Sequence, residues 1–380
     1  MKLIKGGVTA PKGFLAYGVS AGIKRSGKTD LGVIYSPAVA VTAGVFTINS
    51  IKAAPLLVSM ANIASGKSHA VLVNSGNANC YTGAQGLRVA EESVKKTADL
   101  LKIKPKEMLV TSTGIIGKPM PFDKIIDALP SLVKGLSDKG GGKFAQAIMT
   151  TDLAHKEIAV QVKLGGKTVT IGACAKGSGM IEPNMATMLG FITTDAVISH
   201  KMLSLALKRA ADHSFNSITV DGCMSTNDMV TIQANGLAGN KAIVDEGADF
   251  KKFYDALEHV CIDLSTKIVL DGEGATKFIT VNVKGAADFK QAKTIAKAIA
   301  NSPLVKTAAF GSNPNWGRVG AAVGSLGIKA ITEKTMKINF SPFDKKDISI
   351  TVQLRLGKAN ATVYTCDFSY EYVKINGEYN

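Results

Sequence analysis

The sequence predicts a layered α/β protein, on three observations. Short β-branched runs alternate along its 380 residues with stretches of helical spacing. Glycine is frequent (38 residues) while aromatics make up only 6%, which suits many tight turns between elements. A chain of this length exceeds one ordinary core, and its last hundred residues repeat a strand–helix pattern of their own. Residues 1–280 are therefore read as a main domain, and 281–380 as a smaller α/β subdomain.

The elements follow in chain order. Gly32–Tyr35, Val39–Thr42 and Gly44–Thr47 are short apolar runs broken by Gly and Pro, and read as strands. Just before them, Gly22–Thr29 (GIKRSGKT) matches the letters of a phosphate-binding P-loop. A working P-loop opens a helix, whereas here a strand-like run ending in Pro37 follows, so the segment reads as a basic turn. Ala70–Val73 is a buried strand ending in the polar run Asn74–Gly83. Such a loop is where α/β proteins bring ligands, and equally where a plain turn cluster falls. Val94, Ala98 and Leu101 place a helix over 90–102. Met108–Val110 then run as a strand into Thr113-Gly114, where backbone amides can converge on an oxyanion.

Glu157–Lys163 and Lys167–Gly172 alternate about Leu164-Gly165-Gly166, a hairpin. Ile198–Asp212 reads as a helix capped by Ser199, and Ser217–Asp221 as a strand. Phe253, Leu257, Val260, Leu264 and Ile268 form the apolar stripe of a helix over 251–270. It ends at Asp271–Lys277, a glycine-flanked turn around Glu273. Strand 278–283, helix 288–300 and strands 337–340, 348–356 and 361–368 complete the chain.

Composition excludes several classes. No apolar run reaches the roughly 18 residues of a membrane span. The N-terminus lacks the apolar core of a signal peptide, which places the protein in the cytoplasm. Five cysteines without a C-x-x-C pair fit reduced thiols, and the five histidines lack metal-ligand spacing, so no metal is expected. The net charge of +15 comes from scattered lysines without interleaved aromatics, a solvated surface and not a nucleic-acid interface.

The chain is organised around Lys176-Gly-Ser-Gly-Met-Ile-Glu-Pro-Asn-Met-Ala-Thr-Met-Leu-Gly190. Its first part is broken by Gly and Pro and cannot be a helix interior. Thr187 follows Ala186, so its hydroxyl has room beside the preceding carbonyl and can attack it in an N-to-O acyl shift. That shift would cut the chain and leave a threonine whose free α-amine, with an ordinary pKa of about 8, is its own general base. Taken alone, the stretch fits a buried threonine bonded to nearby backbone better than a nucleophile.

The remaining motifs reverse that balance. Ala175–Leu189 together with Val73-Asn-Ser-Gly-Asn-Ala-Asn79, Thr113-Gly-Ile-Ile-Gly117, Ser225-Thr-Asn-Asp228, Asp271-Gly-Glu-Gly-Ala-Thr-Lys277 and Asn313-Pro-Asn-Trp-Gly-Arg318 resembles the ornithine acetyltransferase family. These enzymes are also called bifunctional glutamate N-acetyltransferases of arginine biosynthesis, and the likeness covers nearly the whole chain. It implies an αββα-type sandwich with a smaller C-terminal α/β subdomain. It also implies self-cleavage between Ala186 and Thr187, and association of the pieces 1–186 and 187–380 as two copies of each. The implied reaction moves acetyl from N-acetylornithine to glutamate through an acetyl-Thr187 ester. Thr113 and Gly114 would form the oxyanion hole, and Thr150, Lys176, Thr187, Glu273 and Asn376 would hold substrate. No cofactor is implied, and use of acetyl-CoA as a second donor stays open.

The chain departs from the family pattern at Leu153 and His155, where Thr and Pro are usual, and at Cys223-Met224, where Asp-Thr is usual. It stops at Asn380, before the family's terminal Thr or Ser ligand, which is expected to be absent. The competing reading is an N-terminal-threonine amidohydrolase or aminopeptidase, which shares Thr187 and needs no acceptor.

Overall fold

In the computed structural model, residues 1–182 and 188–378 are described. They divide into two compact units. The first takes in Met1–Gly177, Met224–Leu264 and the described residues of Asn184–Phe215. The second takes in Asn216–Cys223 and the described residues of Ser178–Pro183 and Ser265–Asn380.

The first unit contains β1 (Lys2–Ile4), β2 (Leu15–Val19), β3 (Leu31–Phe46), α1 (Ala54–Ile63), β4 (Lys67–Asn77), α2 (Gly83–Leu101), β5 (Met108–Ile115), α3 (Phe122–Lys134) and α4 (Gly141–Ala147). It continues with β6 (Lys156–Leu164), β7 (Lys167–Lys176), β8 (Leu189–Thr194), α5 (His200–His213), β9 (Met229–Ala234) and most of α6 (Ala248–Leu270). Its strands hydrogen-bond in the order β1-β6-β7-β8-β9-β3-β4-β5, with β2 also on β3. The three short runs expected over 32–47 are one strand. Its first part pairs with β2 and β4 and its second with β9, and the β4 pairing resumes at Ala40 and Val41 after a register shift between Tyr35 and Ala40. Pro37 sits in that shift, where the absent N–H costs no ladder bond.

This long strand lets the sheet fold over itself. Ile34, Val71, Val73 and Leu109 share one core with Cys174, Leu189, Phe191 and Met229 from the other end of the strand order. Phe144 of α4 meets Phe191 edge-on, with ring centroids 5.2 Å apart. On the outer face of the first leaf, Leu31, Val33, Leu72 and Val110 pack with Val94 and Leu129 of α2 and α3, while α5 packs on β3. The result is the layered α/β sandwich expected from sequence. The predicted β6–β7 hairpin is present in full register from Lys156↔Ala175 to Leu164↔Lys167. Ser199 caps α5 by accepting the Met202 N–H.

The second unit contains the end of α6, then β10 (Phe278–Ala286), α7 (Phe289–Ala300), α8 (Pro303–Phe310), α9 (Trp316–Gly324), β11 (Met336–Phe340), β12 (Asp347–Leu354), β13 (Ala359–Cys366) and α10 (Tyr370–Glu378). Its four strands order as β11-β12-β10-β13, with β10 and β12 parallel. Alternate residues Ile279, Val281 and Val283 pack with Ile295 and Ile299 of α7 beneath them. The strand expected over 217–221 is not one. After a 3-10 turn at Phe215–Ser217, the segment makes a single bridge from Ile218 to Tyr364, and its amides go to Ile181 and Tyr364 instead.

Candidate active site

Two strand ends and one loop define a polar cluster in the first unit. β7 ends at Lys176, β5 carries Thr113-Gly114 near its end, and Thr150 lies in the loop between α4 and β6. Lys176 Nζ donates to Thr150 Oγ1 at 2.7 Å and to Thr113 Oγ1 at 3.4 Å. Three of the residues singled out from sequence are thus brought together. The Lys176 side chain is largely buried, so its amine is presented at a fixed point in this cluster.

Asp152, which no feature of the sequence singles out, organises this cluster. Its carboxylate accepts the Thr150 N–H at 2.9 Å, the Gly177 N–H at 2.8 Å and the Lys156 ammonium at 2.7 Å. One buried group therefore ties the Thr150 loop to the end of β7. Burial alone would raise its pKa, but the Lys176 and Lys156 charges and these hydrogen bonds outweigh it and bring it to about 2.

Thr113-Gly114 is positioned by close packing between β4 and β5. Gly114 has φ +131°, and a Cβ there would stand 2.4 Å from the Gly76 carbonyl carbon and 2.6 Å from the Asn77 nitrogen. Only glycine permits both the backbone angle and the approach. Asn227 braces the same region by donating to Ala78 O at 2.6 Å and Ser112 O at 2.8 Å. The asparagines of the Asn74–Asn79 loop serve the scaffold too. Asn74 donates to Asn77 O, Asn77 to Lys118 O and Pro119 O, and Asn79 to Gly86 O. Of the two readings left open for this loop, the turn cluster accounts for these bonds.

In the second unit, Glu273 is buried and accepts from Asn376 Nδ2 at 2.9 Å, so two further sequence-predicted residues are paired. The Glu273 N–H donates to Ser178 O at 2.9 Å. A Cβ on Gly179 would lie 2.2 Å from the Glu273 carboxylate, so that glycine leaves room for it. Asp221, also overlooked in the sequence, accepts the Met180, Ile181 and Cys223 amides at 2.6, 2.9 and 3.0 Å. It fixes the segment that leads toward the proposed cleavage point. Ala186 and Thr187 themselves lie outside the described residues.

Among the described residues, no group of three or more His, Cys, Asp or Glu side chains could hold a metal, and no helix is long and apolar enough to cross a membrane. None of the five cysteines, all of them described residues, forms a disulfide.

The family model described as the ArgJ family matches residues 15–344 and 333–380. The arginine biosynthesis bifunctional protein ArgJ of Symbiobacterium thermophilum is 47% identical over 400 residues, covering 100% of both chains. That of Bacillus anthracis is 46% identical over 399 residues, covering 100% of this chain and 98% of its own. Among solved structures, ArgJ from Bacillus halodurans is 43% identical, covering 49% of this chain and 97% of its own, with a TM-score of 0.46. Ornithine acetyltransferase from Mycobacterium tuberculosis, complexed with ornithine, is 39% identical, covering 49% of this chain and 99% of its own, also with a TM-score of 0.46.

Proposed function

This chain belongs to the ArgJ family, and from that premise we propose that it moves the acetyl group of N-acetylornithine to glutamate, releasing ornithine and N-acetylglutamate. The observation that supports this reading most is the Lys176 ammonium seated on the hydroxyls of Thr150 and Thr113. An amino-acid substrate brings an α-carboxylate, and Lys176 is a fixed cation for it.

Maturation comes first. The Thr187 hydroxyl attacks the Ala186 carbonyl carbon, the peptide C–N bond breaks, and the resulting ester is hydrolysed by water. The products are an Ala186 carboxylate and a Thr187 with a free α-amine. The two pieces then stay associated for a topological reason. β7 belongs to the piece 1–186 and β8 to 187–380, yet the two strands pair from Ile171↔Thr194 to Lys176↔Leu189. β9 likewise pairs with β3 across the cut. Two copies of each piece make up the assembly we propose.

Acetyl transfer then runs in two halves. Thr187 Oγ attacks the acetyl carbonyl of the donor, and its proton passes to the α-amine. Thr113 and Gly114 stabilise the oxyanion, and ornithine leaves with a proton as the acetyl ester forms. The amine of glutamate attacks that ester in the second half and restores the threonine. Glu273, held by Asn376, is assigned the ornithine side-chain ammonium. The protein works without a cofactor in the cytoplasm, on small molecules and not on nucleic acid or membrane. Whether acetyl-CoA also loads Thr187 is decided by offering it as sole donor.

The test is product formation from purified protein with N-acetylornithine, with and without glutamate. N-acetylglutamate appearing only with both substrates supports the transferase. Acetate released equally fast without glutamate would favour the amidohydrolase.

A further inference from the structure

The basic turn at Gly22–Thr29 has no place in the mechanism so far, yet it is a built structure beside the cluster. Asp30, fully buried, accepts the Ala21, Ile23 and Lys24 amides at 2.6, 2.6 and 2.8 Å. The Asp30 carbonyl in turn accepts the Ser75 N–H at 2.8 Å, which fixes the turn to β4. The Lys24 stem then lies over Gly76, where a Cβ would come 3.0 Å from Lys24 Cγ and 3.5 Å from its backbone nitrogen. Gly76 pairs directly with Gly114. Lys24, Gly76, Gly114 and the adjoining Thr113, which Lys176 touches, therefore form one continuous patch of the first unit. Among the described residues, the Lys24 ammonium has one acceptor, Thr29 O at 2.7 Å, for its three donor hydrogens.

The two proposed substrates differ in charge. N-acetylornithine carries one carboxylate and one ammonium, whereas glutamate carries two carboxylates. One fixed cation, Lys176, satisfies the first but not the second. We propose that Lys24 is the second cation of the site, which binds the additional carboxylate of the acceptor and so sets acceptor specificity. This inference rests on the transferase reading above.

The electrostatics suit a group that must serve both substrates. Burial first, with the positive charges of Lys176 and Lys28, outweighs the carboxylates of Asp30 and Asp152 and brings the Lys24 pKa down to about 8. A lysine poised there sheds its proton at little cost beside the donor's side-chain ammonium and holds it beside the acceptor's second carboxylate.

The experiment compares Lys24→Met and Lys24→Arg with the wild type, using steady-state KM for glutamate and the burst of ornithine released from N-acetylornithine without acceptor. Methionine keeps the stem over Gly76 and removes the charge. We expect it to raise the glutamate KM about tenfold, as loss of a charged hydrogen-bond partner does, with the burst rate changed by less than about twofold. Above about pH 8 the wild-type glutamate KM should rise, whereas that of Lys24→Arg should stay flat, since arginine does not titrate there. Equal losses in both halves, or an unchanged glutamate KM, would overturn the role of Lys24. If Lys24→Met fails to fold, the pH profile of Lys24→Arg decides alone: a rise matching the wild type overturns the proposal. A wild type that transfers no acetyl overturns the transferase reading itself, a separate result from an active wild type indifferent to Lys24.

Discussion

Lys176 Nζ and Thr150 Oγ1 are 2.7 Å apart, an ammonium at the end of a strand resting on a hydroxyl from a loop that Asp152 holds in place. Hydrogen bonds to charged groups contribute about 1.5–3 kcal/mol. Lys176→Met should therefore raise the KM for N-acetylornithine about tenfold or more, with a smaller change in kcat. Steady-state kinetics check this, and unchanged constants would remove Lys176 from the site.

The Asp152–Lys156 pair is buried, with side chains 0% and 3% exposed. Asp152→Ala leaves the Lys156 ammonium without this partner and should cost about 3–5 kcal/mol. The pH dependence follows from sign. The folded carboxyl titrates at about 2, below the unfolded value of about 4, so its contribution is complete above that value and is lost as pH falls toward 2. Urea midpoints of wild type and Asp152→Asn should differ at pH 7 and converge in acid. A gap that does not change with pH would refute the assignment.

Two glycines, one in each unit, should respond differently to alanine. At Gly114 the new Cβ meets backbone on both sides of the Gly76–Asn77 peptide bond at a φ of +131°. The backbone angle alone costs about 1–3 kcal/mol, so thermal melting should show a clearly destabilised fold. At Gly179 the three atoms nearest the Cβ are those of the Glu273 carboxylate, the far end of a side chain. Displacing that carboxylate from Asn376 should lower activity while the melting temperature stays near the wild-type value. The opposite ranking would contradict both placements.

The pairing of β7 with β8 and of β3 with β9 predicts how the cut protein behaves. Fragments 1–186 and 187–380 should co-elute on native size exclusion and separate only in denaturant. Separation under native conditions would show that the shared sheet does not hold them.

Local pattern carried much of this fold. The β6–β7 hairpin was legible because its strands alternate about Gly165-Gly166, and α5 because Ser199 precedes a clean apolar face. β8 and β9 were missed because every residue in them is buried, and a short run buried on both faces has no period to read. α1 and α4 start without a side-chain cap, so no polar signal marks them. Within the site, Lys176, Thr150 and Thr113 could be named from the family resemblance. The roles of Asp152, Asp221 and Lys24 depend on which backbone amides and strands come to surround them, and chain separation hides that. The Ser217–Asp221 error has the same root, for its β-branched residues suit a strand while its amides find partners at Ile181 and Tyr364.

The central claim is that Thr187 severs its own peptide bond and then carries the acetyl group. Intact mass measurement tests it most directly, on purified protein quenched in acid after incubation with N-acetylornithine and no glutamate. Two masses are expected, for residues 1–186 and 187–380, with the second heavier by about 42 Da, one acetyl group on its threonine. A single full-length mass from active protein, or two fragments that turn over substrate with no added acetyl on the second, would contradict it.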